Sequence, residues 1–199
     1  MNGRSVFLLA AIVTGSLCLS LAAHAASGVG EEASAFVATT RDGSLFDLST
    51  RRDKVVLINF WTSWCKPCHE ELPIIEALWR KYRSQGLAVL TINADNARTR
   101  KQAEQVAGYF TFPTAMIEAV KKNDLLTLSS VPVTYLIGKD GVVRDIFQPP
   151  QNAFVAEALE ARIKALLDEK KEKKTPEEPA EEKKEIPSKS TPDKAESSS

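Results

Sequence analysis

Apolar positions along this chain fall into short runs with two different periods. Residues 55–60, Val-Val-Leu-Ile-Asn-Phe, are apolar on both faces apart from Asn59, which predicts a central strand covered by helices. Residues 87–92, Leu-Ala-Val-Leu-Thr-Ile, predict a second buried strand. Between them Leu72, Ile75, Leu78, Trp79 and Tyr82 recur at spacings of three and four, the apolar stripe of a helix lying on a core. Pro73 predicts a kink in that helix and Gly86 its C-terminal stop.

Shorter elements flank this centre. Residues 36–39 and 44–48 surround Arg41-Asp42-Gly43, and residues 133–137 and 142–147 surround Lys139-Asp140-Gly141; each Asp-Gly turn predicts a β-hairpin. Ser49 or Thr50 is the expected cap of a short turn before Lys54. Residues 98–107 predict a helix, 112–117 a strand and 121–128 a short helix or turn. Pro149 and Pro150 end the second hairpin, and a last helix is expected from about Asn152, with Val155, Leu159, Ile163, Leu166 and Leu167 facing the core.

The two ends have another character. Arg4, the apolar stretch 6–21 and Ala23-His24-Ala25 read as a secretory signal over residues 1–25, with an uncleaved membrane anchor as the competing reading. A lipoprotein reading through Cys18 is weakened by Leu17 before it, where a small residue is expected. Residues 26–35 lack periodicity and predict a flexible lead-in, and residues 36–167 form one folded domain. From 168 to 199 Lys, Glu, Pro and Ser displace the apolar residues, the composition of a charged, disordered tail. Among 199 residues, 26 Lys and Arg balance 26 Asp and Glu, so the charge points neither to nucleic acid nor to an acidic membrane surface.

Chemistry concentrates where the first buried strand ends, at Trp64-Cys65-Lys66-Pro67-Cys68. Two intervening residues let both sulfurs come within disulfide distance across a first helical turn, and Pro67 suits that turn because its absent N–H would be unpaired there. Cys65 then sits at the positive end of the helix dipole, among free backbone N–H groups, where a thiol ionises readily and becomes a nucleophile near neutral pH. Cys68, one turn deeper, is placed to resolve a mixed disulfide formed on Cys65. Removal of the leader takes Cys18 with it, leaving one pair whose loop is too short to act as a staple.

The order hairpin, strand, redox helix, strand, helix, Pro-led hairpin and closing helix resembles the thioredoxin fold. Asn59-Phe60-Trp61-Thr62-Ser63-Trp64-Cys65-Lys66-Pro67-Cys68, Glu71-Leu72-Pro73 and Val131-Pro132-Val133-Thr134-Tyr135-Leu136-Ile137 are similar to its periplasmic TlpA/ResA-like branch over residues 36–167. The resemblance implies an α/β fold, with a central mixed sheet flanked by helices and an N-terminal β-hairpin. It implies an exported thiol:disulfide oxidoreductase that reduces client protein disulfides, with apocytochrome c and copper-site cysteines among the clients of the branch. Electrons would come from a membrane thiol-transfer protein; no cofactor and a monomer are expected.

Residue by residue, the match makes Pro132 a cis-proline against the cysteines, exposing the backbone of Val131 to an extended client peptide. Glu71 aligns with a family glutamate and shares a helix face with Cys68, so a partly buried carboxyl there accepts the Cys68 proton. Asn59 stands where many thioredoxins carry an aspartate. Trp64 covers one side of the pair and joins the client surface, with a purely packing role as the competing reading, and Lys66 adds modest electrostatic support to a thiolate. The stretch 121–130 lacks the Gly-rich lead-in to the proline that many relatives show, and the tail has no counterpart among them.

Three rival readings share these residues. Cys65-Lys66-Pro67-Cys68-His69 also fits the Cys-x-x-Cys-His pattern of c-type haem attachment, although Trp64, Pro67 and the preceding buried strand fit redox chemistry better. Thr62, three positions before Cys65, fits a peroxiredoxin, but Ile58 occupies the place of that family's proline. Cys65, Cys68 and His69 would give a copper or zinc carrier an incomplete tetrahedral site.

Overall fold

A computed structural model describes residues 27–33, 35–123, 125, 130–150 and 152–169. The proposed leader and nearly all of the charged tail lie outside the described residues. Strands β1 (Phe36–Thr39), β2 (Leu45–Asp47), β3 (Val55–Trp61), β4 (Leu87–Asn93), β5 (Thr114–Met116), β6 (Val120–Asn123), β7 (Val133–Ile137) and β8 (Val143–Phe147) alternate with helices α1 (Lys66–Tyr82), α2 (Arg100–Ala107) and α3 (Ala156–Asp168). Five strands form a mixed sheet in the order β5-β4-β3-β7-β8, and β2-β1-β6 form a smaller one. Parallel pairing joins β3 to β4 and β4 to β5, and antiparallel pairing joins β3 to β7 and β7 to β8. This is the mixed α/β architecture and N-terminal hairpin that the hydrophobic pattern and the thioredoxin resemblance led us to expect.

Strand β3 is buried along its whole length, and its alternation divides the molecule into two cores. Val55, Leu57 and Trp61 point to the side carrying Leu72, Ile75 and Leu78 of α1 and Leu159, Ile163 and Leu166 of α3. Val56, Ile58 and Phe60 point to the other side, against Phe36, Ala38 and Phe46 of the hairpin and Tyr135 of β7. Among the described residues, helices cover one face of the central strand and the small sheet closes the other. Asn59 shares the Leu57 and Trp61 face by parity, which aims its amide at α1.

Several local expectations are corrected. Residues 120–123 form an edge strand against β1 rather than part of a helix or turn; Lys121 and Lys122 lie exposed on it, the usual protection of an open edge. The cap of the short 3-10 turn Leu48–Arg51 is Asp47, which accepts the Ser49 N–H, not Ser49 or Thr50. Helix α3 starts at Ala156, not near Asn152, because Gln148 and Asn152 exchange two backbone hydrogen bonds around Pro149-Pro150, leaving Val155 48% exposed. Part of the lead-in expected to be flexible is held on the sheet: Gly30 N–H donates to Val143, Val143 N–H to Glu31 and Ala33 N–H to Gly141. Pro73 lies inside α1 without ending it, and Gly86 closes the following 3-10 turn at φ 110°, a conformation that favours glycine. No helix among the described residues is long and apolar enough to cross a membrane.

Candidate redox site

The parallel strands β3 and β4 end at the same edge of the sheet, and the site is built there, as open α/β sheets commonly arrange. Trp61 closes β3, and four residues later Cys65 stands in extended conformation as the N-cap of α1, with Pro67 in the first turn. Cys65 and Cys68 form a disulfide with Cα atoms 5.3 Å apart. The Cys65 Sγ also accepts the Cys68 N–H at 3.2 Å, so one otherwise orphaned donor of the helix start points at that sulfur. Cys68 is wholly enclosed, Cys65 is 5% exposed, and Trp64 beside it is 66% exposed. Cys65 is thus the sulfur nearer solvent and Cys68 the inner one, the order anticipated from their spacing.

Glu71 follows one turn further into α1 and is buried. Burial pushes its carboxyl up to about 7, against hydrogen bonds from Asn59 and Thr134 that lower it. Asn59 Nδ2 lies 3.3 Å from Glu71 Oε2 and 2.8 Å from the Thr134 hydroxyl, all three groups being buried. Asn59 Oδ1 has no hydrogen-bond partner among the described residues. A carboxyl in such a place exchanges protons near neutral pH, where a free glutamate is fully ionised.

The Val131–Pro132 peptide bond is cis, as the resemblance implies. Pro132 is buried, and Val131, half-buried, packs against the core cluster that contains Cys65 and Cys68. Gln148 Nε2 donates to Ser130 Oγ at 2.7 Å and ties this segment to the end of β8. The Pro149–Pro150 bond is also cis, a feature the Pro-Pro pair did not by itself disclose. Lys66 and Pro67 lie exposed on the first turn of α1.

His69 and the two cysteines, which the haem and metal-carrier readings share, already have protein partners. His69 Nε2 is 2.8 Å from the Ser63 carbonyl, so that nitrogen carries the proton and donates. The Thr62 hydroxyl is buried without a hydrogen-bond partner among the described residues. Both sulfurs of the haem pattern are joined to each other.

One group escaped sequence reading. Asp95, just past β4 and 1% exposed, accepts the Ser63 N–H at 2.6 Å, the Ser63 hydroxyl at 2.7 Å and the Asn93 amide at 2.7 Å. Burial alone would raise its pKa, but hydrogen bonds from Thr99, Ser63 and Asn93 outweigh it and hold the carboxylate below its usual range. The available signal was a polar cluster, Asn93-Ala94-Asp95-Asn96, at the carboxyl end of a buried strand.

Comparison with known proteins agrees with this geometry. Residues 29–146 match the family described as the AhpC/TSA family. The chain is 32% identical over 115 residues to the thiol-disulfide oxidoreductase ResA of Bacillus cereus, covering 58% of this chain and 66% of that protein. It is 35% identical over 123 residues to the ResA of Geobacillus kaustophilus, covering 61% and 70% respectively. The match therefore spans just under two thirds of the first of these relatives. Among solved structures it superposes with a TM-score of 0.59 and 27% identity on a Chlorobium tepidum protein described as a DsbE-type thiol:disulfide interchange protein, over 71% of this chain and 99% of that one.

Proposed function

Because this chain belongs to the AhpC/TSA family, on its thioredoxin-like side with the ResA thiol-disulfide oxidoreductases, we propose that it exchanges thiols for disulfides and reduces disulfides in client proteins. The observation that carries this reading is the Cys65–Cys68 pair at the start of α1, its outer sulfur beside exposed Trp64 and its inner sulfur one turn from a carboxyl poised near neutrality.

In the reductive direction the Cys65 thiolate attacks one sulfur of a client disulfide. A Cys65–client bond forms, the client S–S bond breaks, and the first client thiolate leaves. Glu71 then takes the Cys68 proton, and Cys68 attacks the Cys65 sulfur. The mixed disulfide breaks, the Cys65–Cys68 bond forms, and the second client thiolate takes up a proton. Two electrons pass from the pair to the client; the Cys68 proton reaches the second client thiolate by way of Glu71, and the first client thiolate takes its proton from solvent. Trp64, Val131 and Pro132 form the client-facing rim, with the Val131 backbone pairing to an extended peptide.

The apolar N-terminal stretch supports export, and an exported reductant needs a thiol donor reaching it from the membrane. Apocytochrome c or copper-site cysteines fit as clients because both must be held reduced before metal or haem arrives. No resident cofactor enters this chemistry, and the protein acts as a monomer. The test is to mix reduced protein with a peptide disulfide and, separately, with hydrogen peroxide. Stoichiometric disulfide reduction with negligible peroxide consumption is expected; rapid peroxide consumption with an inert peptide disulfide would overturn the reading in favour of a peroxidase.

A further inference from the structure

Ser63 is held on every polar group. Its N–H and hydroxyl go to Asp95 at 2.6 and 2.7 Å, and its carbonyl receives His69 Nε2 at 2.8 Å and Gln102 Nε2 at 3.4 Å. The partners come from three places: the turn after β4, α1 and α2. Asp95 is itself fixed, since Asn93 donates to its carboxylate and Asp95 N–H returns to Asn93 Oδ1 at 3.1 Å. Charge-assisted bonds of this kind are short and geometrically demanding. Ser63 is two residues before Cys65, with exposed Trp64 between them.

The clamp has different work in the two redox states. In the disulfide state the Cys65–Cys68 bond itself ties the turn to α1. Once that bond is reduced, the local noncovalent ties to Cys65 are the Thr62 carbonyl accepting its N–H at 3.3 Å, its carbonyl accepting the His69 N–H at 3.3 Å, and the Sγ contact to the Cys68 N–H. We propose that Asp95, acting through Ser63, is a positioning residue that holds the Cys65 turn in the dithiol state and thereby sets how readily the pair is reduced. This rests on the thiol-exchange reading and adds to it a residue outside the cysteine motif.

Asp95→Asn keeps shape but presents an amide nitrogen to two donors, so Ser63 loses one acceptor. The dithiol form has no covalent tie to absorb that loss and is weakened more than the disulfide form. The equilibrium with reduced and oxidised glutathione then moves toward the protein disulfide by roughly tenfold, the factor carried by one charge-assisted bond, which is about 30 mV more negative. Ser63→Ala, which retains the backbone bond, shifts it the same way by less and carries the test if Asp95→Asn does not fold.

Urea unfolding of the oxidised and reduced forms of wild type and variant supplies the second readout, with the larger loss expected in the reduced form. Equal losses in both forms with an unmoved potential would overturn the proposal, since that is all a plain structural role produces. A shift to a less negative potential would overturn it too, being the sign of a buried anion acting on the thiolate through space. If wild type proves inert toward glutathione disulfide, thiol exchange is what fails, and the two-state stability comparison still decides the clamp.

Discussion

Cys68→Ala is expected to turn a turnover enzyme into a trap. The variant keeps Cys65 at the N-cap of α1, next to exposed Trp64, so attack on a client disulfide proceeds. Resolution requires the inner sulfur, whose Cα lies 5.3 Å from that of Cys65, and no bulk thiol matches the effective concentration of a group held there. A covalent adduct on Cys65 should therefore accumulate on non-reducing gels and in intact-mass spectra, and turnover should fall by at least about a thousandfold. Cys65→Ser should lose the same activity without forming any adduct. Equal adduct formation by both variants would contradict the assigned roles.

Glu71→Gln has the second large effect, on pH dependence. The Glu71 carboxyl is raised from 4.5 to about 7 by burial. Between those values the unfolded chain has lost the proton and the folded protein retains it, so native protein binds more protons and stability falls as pH rises. The full penalty is present above about pH 7 and absent below 4.5, and amounts to about 3 kcal/mol. Gln cannot ionise and removes it. The stability difference between variant and wild type, from urea unfolding of the oxidised proteins, should be near zero at pH 4.5 and grow in favour of Gln through pH 7.

Taking the difference cancels the carboxylates whose pKa is lowered, such as Glu76 and Asp140, which lose stabilisation at lower pH. In kinetics the same substitution should slow resolution of the mixed disulfide and leave attack by Cys65 nearly unchanged. An equal effect on both steps, or a stability difference that shrinks between pH 4.5 and 7, would reject the proton-acceptor role.

What could be read beforehand was whatever a residue determines locally. The run at 55–60 is apolar because both faces of β3 are covered, and the α1 stripe is regular because one face meets that strand. Cys65, Pro67 and Cys68 have meaning at a helix start because each answers to the geometry of the first turn. The strand at 120–123 was missed because Lys121 and Lys122 carry no periodicity; the open edge of β1 decides their state. Which layer covers the second face of β3 was likewise a matter of partner, since a buried strand reads the same under helices or under a sheet. The Asp95 clamp joins positions 32 apart, and spacing along the chain says nothing about such a pair.

The central claim is the division of labour between two sulfurs, and alkylation measures it directly. Fully reduced protein, given a brief limiting dose of iodoacetamide at neutral pH and then mapped by mass spectrometry, should carry the label on Cys65, with enclosed Cys68 spared. Label appearing first on Cys68, or equally on both, would contradict it.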